Sequence, residues 1–238
     1  MKTIVVIPTY NEAENIGLLV EKILALPLAL EIIFVDDHSP DDTGDIIKKI
    51  INTKPVQLIE RPGKLGLGSA YIEGFKAALA QNPDFIIQMD ADLSHDPNDI
   101  PSLIAACEEI SIGSRRIPGG KIVGWNFQRK LMSAGAMWFA RIILGLKTKD
   151  VTAGFRCFKS EALRKLKIED IKSNGYAFQE EVIFRAERWH LKIKEVPTTF
   201  HDRKAGKSKL SQKDILEFFK TIFRLKTTKL KESVKQTG

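Results

Sequence analysis

Apolar and polar residues come in alternating blocks along the first ninety positions, and the blocks change period as they go. Residues 2–7 (KTIVVI) form a β-branched run stopped by Pro8, the pattern of a buried strand. Residues 12–26 place Ile16, Leu19, Val20, Ile23, Leu24 and Leu26 at helical spacing and end at Pro27. A second strand, EIIFVD at 31–36, runs into the turn-rich HSPDDTG. There Asp41 or Asp42 is placed to cap a helix whose core face is Ile46, Ile47, Ile50 and Ile51. A third strand at 56–59, a helix at 67–80 and a fourth strand at 85–89 complete the series. Strands alternating with helices through short connections predict an α/β fold, an open and largely parallel sheet with helices on both faces. Such sheets bind ligands beyond the carboxyl ends of their strands. The first, second and fourth strands end in PTYNE, DDHSPDD and DADLSHDP, so three polar clusters are expected on one edge.

Beyond Ile112 the pattern loosens. Residues 114–125 (SRRIPGGKIVGW) are rich in Gly and basic side chains and predict a mobile loop. Residues 126–146 read as an amphipathic or wholly buried helix, 150–158 as a strand interrupted by Gly, 178–190 as a helix, and KIKEVP as a short strand. The segment 201–211 reads as a loop. Residues 214–230 predict a basic amphipathic helix with Ile215, Phe218, Phe219, Ile222 and Phe223 turned inward. These segments give one domain over 1–225 and a basic tail over 226–238.

Charge sharpens this division. The 238 residues carry 37 Lys and Arg against 30 Asp and Glu, a net charge of +7. From His201 onward there are eleven bases and four acids, so this last stretch holds the whole excess. A polyanionic partner fits that asymmetry: a membrane surface, a nucleic acid or a phosphorylated substrate. No nucleic-acid-binding motif accompanies it, and no nucleic-acid partner is expected. No secretory leader and no spanning segment are expected, because the start is cut at Pro8 and the stretch 131–146 contains Ser133 and Arg141. Cys107 and Cys157 lack CxxC spacing and are expected as reduced, packed thiols of a cytoplasmic protein.

The candidate chemistry lies in the acidic clusters. Asp90-Ala91-Asp92 follows an apolar strand, where a turn of the chain can aim both carboxylates at one ion. Hard oxygen donors select Mg²⁺ or Mn²⁺ over zinc. The alternative is a pair that caps the helix after Pro97. Asp36-Asp37 stands where nucleotide-binding sheets place an acid on a ribose or base, or else forms an Asx turn. Residues 63–68 (GKLGLG) are neither a Walker loop nor a dinucleotide fingerprint, since Tyr71 stands in place of the third Gly; a glycine turn positioning Lys64 is what they support. His38 and His95 flank acids without ligand spacing. No nucleophile triad is present.

Taken in order, PTYNE, VDDHSPDDTG, GKLGLGSAY, DADLSHDP, GSR, GFR and SKLS make the chain resemble the dolichol- or polyprenol-phosphate mannosyltransferases, inverting nucleotide-sugar enzymes of the GT-A fold. The likeness covers about residues 1–225. It implies GDP-mannose as donor, a dolichyl or polyprenyl phosphate in a membrane as acceptor, and Mg²⁺ or Mn²⁺ as cofactor. Related enzymes with another donor, such as UDP-glucose, share the fold. Position by position, the resemblance assigns Pro8, Tyr10, Glu12, Val35 and Asp37 to the guanosine, and Asp90, Ala91 and Asp92 to the diphosphate. Asp92 would be the principal metal ligand and Asp90 would assist, with Ser94 where the family often has Gln. Arg115, Arg203 and Lys209 would meet donor phosphates, and Arg129 the acceptor phosphate. Asp92, Arg115 and Arg129 are thus the expected catalytic residues. Asp150, Gln179 and Glu181 would lie near sugar and acceptor, and Arg116, in place of the usual aromatic, would add charge to the acceptor loop. A lipid acceptor without a spanning helix implies peripheral contact with the cytosolic face of a membrane, through the basic helix and the Trp138/Phe139 helix or with a small membrane-anchoring subunit.

Overall fold

A computed structural model describes residues 1–173, 175, 177–202 and 212–228, with side chains in the last span from 217 onward. Of the loop expected at 201–211, His201 instead ends a strand, and 203–211 with Arg203 and Lys209, the side chain of Ile215 and the tail beyond 228 lie outside the described residues. The first half runs β1 (Thr3–Thr9), α1 (Ala13–Leu24), β2 (Leu30–Asp36), α2 (Thr43–Ile51), β3 (Val56–Glu60), α3 (Leu67–Ala80) and β4 (Phe85–Gln88). A 3₁₀ turn at Pro97–Asp99 leads into α4 (Ile100–Ala106), β5 (Ile110–Ser114), β6 (Lys121–Val123) and α5 (Phe127–Leu144). There follow β7 (Arg156–Lys159), α6 (Ser160–Lys165), a second 3₁₀ turn, α7 (Ala177–Arg188), β8 (Ile193–Pro197), β9 (Thr199–His201) and α8 (Gln212–Thr227).

Seven strands form one sheet in the order β3-β2-β1-β4-β7-β5-β8, with β7 antiparallel to both neighbours and every other pair parallel. The chain leaves β1 to one side through β2 and β3 and returns on the other with β4. That reversal opens a crevice at the carboxyl ends of β1 and β4. Burial on both faces explains the unbroken apolar runs. Ile4, Val6, Ile33 and Val35 face α3, α7 and α8, while Val5, Ile7, Ile32 and Phe34 face the α1, α2 and α4 side. Helix α3 lies tight on β1, because a Cβ at Gly74 would stand 2.4 Å from Val6 Cγ1. Only glycine permits that approach.

Several expectations are corrected. Residues 114–125 are not wholly loop: β6 pairs in parallel with β9, Lys121 to Thr199 and Val123 to His201. The strand expected over 150–158 begins only at Arg156, since residues 150–154 turn to accommodate Arg115. Ile51, one turn beyond buried Ile47 on the same face, is the last residue of α2 and is exposed there. Asp42 makes no side-chain cap. Asp41 receives the Thr43 amide and hydroxyl on Oδ1 and the Ala13 amide on Oδ2, tying the starts of α1 and α2 together.

Helix α8 buries Thr221, Ile222 and Leu225 and half-buries Phe218, but Phe219 and Phe223 are exposed. The latter two sit roughly 100° round the helix from the buried row, and they meet Phe139 of α5 edge-on at 5.3 and 6.2 Å. On α5, Phe127, Leu131, Trp138 and Ile142 form an exposed row, with Met132 beside it; Phe127 is 78% exposed and Trp138 65%. An apolar stripe on two adjacent helices thus faces solvent. Among the described residues no helix is long and apolar enough to cross a membrane. Cys107 and Cys157 are free and buried, the Cys107 thiol donating to the Cys157 carbonyl at 3.5 Å.

Candidate active site

The polar clusters meet at the carboxyl edge as expected. Pro8 closes β1 where β4 no longer pairs with it, the place a strand tolerates proline. Beyond it, the Lys64 ammonium lies 4.0 Å over the Tyr10 ring. The two acids after β2 divide their work. Asp36 is turned inward, accepting from Thr9 Oγ1, Ser39 Oγ and the Ser39 amide. Asp37 faces the loop before α3, where it receives Arg61 Nη1 at 2.5 Å and the Gly66 amide at 2.9 Å. Val35 and Ala91 have side chains in the core, so what they offer a ligand is backbone. Glu12 accepts from Asn15 Nδ2 at the head of α1.

Asp90, Asp92 and Ser94 share one turn beyond β4. The capping alternative fails, because Asp96 is the residue that caps the 3₁₀ turn, accepting the Asn98 amide. Leu93 takes φ +58, an arrangement costly for a branched side chain. Asp92 is buried and accepts the Ser94 amide on Oδ1 at 3.0 Å, while Ser94 Oγ is buried with no hydrogen-bond partner among the described residues. Asp90 receives the Tyr71 hydroxyl on Oδ1 at 2.8 Å; its backbone amide donates to His95 Nδ1 at 3.2 Å. Burial lowers the His95 pKa despite the nearby aspartates, so the ring is neutral and its proton sits on Nε2, 4.0 Å from Asp90 Oδ2. A Cβ at Gly154 would stand 3.3 Å from that same Oδ2, and glycine there keeps the carboxylate's outer side open. Two carboxylates, an orphaned hydroxyl and a glycine-cleared approach make a hard-oxygen donor set that fits Mg²⁺ or Mn²⁺.

Arg115 follows β5 and is held by Asp150, which is fully buried and accepts from the Arg115 amide, Nε and Nη2 at 2.7–2.9 Å. Nη2 also donates to Thr152 Oγ1. Burial alone would raise the Asp150 carboxyl; the hydrogen bonds and charge of Arg115 outweigh it and hold the pKa below the ordinary value. Glu195 fixes the loop from below, accepting the Lys149 and Asp150 amides and the Ser114 hydroxyl. Arg129, in the first turn of α5, lies 4.1 Å over Trp125 and donates Nη1 to both Asp202 oxygens. An aromatic ladder joins the two arginines to the acidic turn. Trp125 meets Phe200 edge-on, Phe200 lies 5.3 Å under the Arg115 guanidinium and edge-on to His95, and His95 stacks on Phe155. Arg116 is half-buried and donates to Ser133 of α5, bracing the loop.

Beneath the site, Gln88 Nε2 donates to Gln179 Oε1 at 2.8 Å, and Arg156 donates to the Val151 and Gln179 carbonyls. Burial pushes the Glu180 carboxyl up to about 8 and the Arg156 guanidinium down to about 10. Glu181, expected near the substrate, instead binds Arg185, Arg224 and Ser173, tying α7 to α8. Sequence reasoning missed Arg61, Tyr71 and Gly154 as parts of the site. Tyr71 left a signal as the residue that breaks the glycine fingerprint, and Gly154 as the first residue of the GFR motif.

Comparison with known proteins places the chain in a family. Residues 4–167 match the family described as glycosyl transferase family 2. The chain is 41% identical over 214 residues to an undecaprenyl-phosphate mannosyltransferase of Micrococcus luteus, spanning 89% of this chain and 88% of that one. It is 38% identical over 221 residues to a polyprenol monophosphomannose synthase of Mycolicibacterium smegmatis, spanning 91% and 83%. Among solved structures, glucosyl-3-phosphoglycerate synthase from Mycobacterium tuberculosis with Mn²⁺, UDP-glucose and phosphoglyceric acid superposes with a TM-score of 0.69 at 19% identity, covering 94% of this chain and 79% of that one. The same enzyme with Mg²⁺ and UDP gives 0.69 at 18% identity over the same shares of the two chains, a likeness of fold. The sheet is the GT-A sheet, and the chain belongs to glycosyl transferase family 2 as a glycosyltransferase.

Proposed function

We propose that the enzyme transfers mannose from GDP-mannose to a polyprenyl or dolichyl phosphate with inversion, at the cytosolic face of a membrane. The observation that carries this reading is the position of Arg129. It shares an aromatic ladder with Arg115 and the aspartate turn, and it lies in the first turn of α5, the helix whose other face carries the exposed apolar stripe. An acceptor with an ionised head and a long apolar tail matches both ends of that arrangement. The curated relatives, named for undecaprenyl-phosphate and polyprenol substrates, support it.

The edge beyond β1 and β2 would take the nucleoside, with Tyr10, Glu12 and Asp37 beside it and the backbone of Pro8 and Val35 beneath. Asp90, Asp92 and Ser94 would hold a divalent cation, which when bound supplies positive charge against the diphosphate. A phosphate monoester with a second pKa of about 6 is largely dianionic at pH 7, so the acceptor needs no strong general base. Arg129 and the remaining Nη1 of Arg115 would orient that phosphate by charge-assisted hydrogen bonds. One acceptor oxygen attacks the anomeric carbon as its bond to the diphosphate breaks, and the electron pair leaves with GDP. Arg203 and Lys209 are proposed to meet the departing phosphates.

The donor is tested by offering the purified enzyme GDP-mannose and UDP-glucose with a short polyprenyl phosphate. Mannolipid from the first and no glucolipid from the second is expected; the reverse overturns the reading.

The stripe is proposed to lie in the membrane interface, with Lys130, Arg141, Lys220 and Lys226 near anionic headgroups. Each such base contributes on the order of 1 kcal/mol. In flotation assays the enzyme is expected to rise with anionic liposomes at low salt, and a Trp138→Ser/Phe223→Ser variant to stay behind. Equal flotation of the two contradicts the assignment. A small membrane-anchoring subunit would compete for the same stripe.

A further inference from the structure

Tyr71 lies in the second turn of α3, a helix that the proposed chemistry does not use, yet its hydroxyl reaches the acidic turn. The side chain is fully buried, and its ring is stacked between Phe75 at 5.7 Å and Phe178 at 5.8 Å. Those rings leave it one position. A buried phenol needs a partner, and the partner here is Asp90 Oδ1 at 2.8 Å. Five residues earlier on the same segment, the Gly66 amide donates to Asp37 Oδ2 at 2.9 Å. Arg61 joins the same end of the helix to Asp37, donating Nη1 to its Oδ1 and Nη2 to Ser69 Oγ. One rigid helix therefore grips the acid assigned to the nucleoside at its first turn and the acid assigned to the cation one turn later. Gly74 seats that helix directly on β1, so it has no freedom to shift relative to either acid.

We infer that Tyr71 is a positioning residue for the divalent cation: it fixes the Asp90 carboxylate through Oδ1 and so presents Oδ2 to the side that Gly154 leaves open. This rests on the proposed metal site and deepens it by naming the residue that sets the carboxylate's orientation. Partners that orient a metal ligand are worth about 10–100-fold in metal affinity. A phenol present only to fill the core would act on stability and leave metal affinity alone.

The test is Mn²⁺ binding to the full chain in the presence of GDP, followed by electron paramagnetic resonance, for wild type, Tyr71→Phe and Asp92→Ala. GDP affinity without metal and the melting temperature are measured alongside. The expected result is a dissociation constant for Mn²⁺ raised about 10–100-fold in Tyr71→Phe, with metal-free GDP affinity unchanged. Mn²⁺ affinity within about twofold of wild type, with Asp92→Ala defective, overturns the role of Tyr71 and leaves the metal site standing. Failure of the wild type to bind Mn²⁺ with GDP overturns both. If Tyr71→Phe melts early, Mn²⁺ binding measured well below its melting point decides the matter in the same way.

Discussion

Alanine in place of Asp92 is expected to reduce mannosyl transfer about 1,000-fold. The estimate follows from charge. A metal clamp on a leaving group is worth several kcal/mol, and about 4 kcal/mol corresponds to roughly three decades in rate. Asp92 is buried beside the Ser94 hydroxyl, and the other carboxylate of the turn, Asp90, is held by the Tyr71 hydroxyl. Within the turn, Oδ1 accepts the Ser94 amide, a hydrogen bond worth about 1 kcal/mol. At about 2–4 °C per kcal/mol for a domain of this size, losing that bond lowers the melting temperature by about 2–4 °C. Steady-state transfer rates and a melting curve on one preparation check both. Full activity in the variant contradicts the assignment of the acidic turn, and a large fall in melting temperature would recast Asp92 as a folding residue.

The second large effect concerns Asp150. Removing it with Asp150→Ala leaves the Arg115 guanidinium, itself nearly buried, with its principal counter-charge gone. Breaking a buried pair from one side costs about 3–5 kcal/mol, a fall of about 6–20 °C in melting temperature. Activity should fall too, because Arg115 loses the bidentate contact that aims it. The pH dependence has a defined sign. The folded-state pKa of Asp150 is lowered, so its stabilising contribution is present above the ordinary aspartate range and is lost as pH falls through the lowered value. Asp150→Asn keeps the shape and removes the charge, so melting temperatures of wild type and Asp150→Asn should differ near neutrality and converge in acid. Parallel curves across the whole range would show that the carboxylate's ionisation does not stabilise the fold.

Much of this arrangement is legible in the sequence. Strands buried on both faces write themselves as unbroken apolar runs, which is why β1 to β4 and the helices between them were placed within a few residues. The site edge was legible for the same reason, since polar clusters that abruptly end such runs have nowhere to go but the carboxyl edge. The second half was harder. β5 and β7 are short and antiparallel to each other, and β6 has only three residues in a segment rich in glycine, where local composition outweighs periodicity. The outward turn of Phe219 and Phe223 was missed because helical spacing marks an apolar face without saying whether protein or solvent lies beyond it. Arg61 and Tyr71 were invisible as site residues because their contacts, to Asp37 and Asp90, span 24 and 19 positions. Glu181 looked like a substrate contact on the sequence, and only the fold brings Arg185, Arg224 and Ser173 around it.

The most direct measurement is the transfer of labelled mannose from GDP-mannose to a short polyprenyl phosphate by the purified enzyme, with and without EDTA, followed by readdition of Mg²⁺ or Mn²⁺. The account predicts a mannolipid whose formation stops in chelator and returns with the metal. Undiminished transfer in chelator, or no mannolipid under any metal, would contradict it.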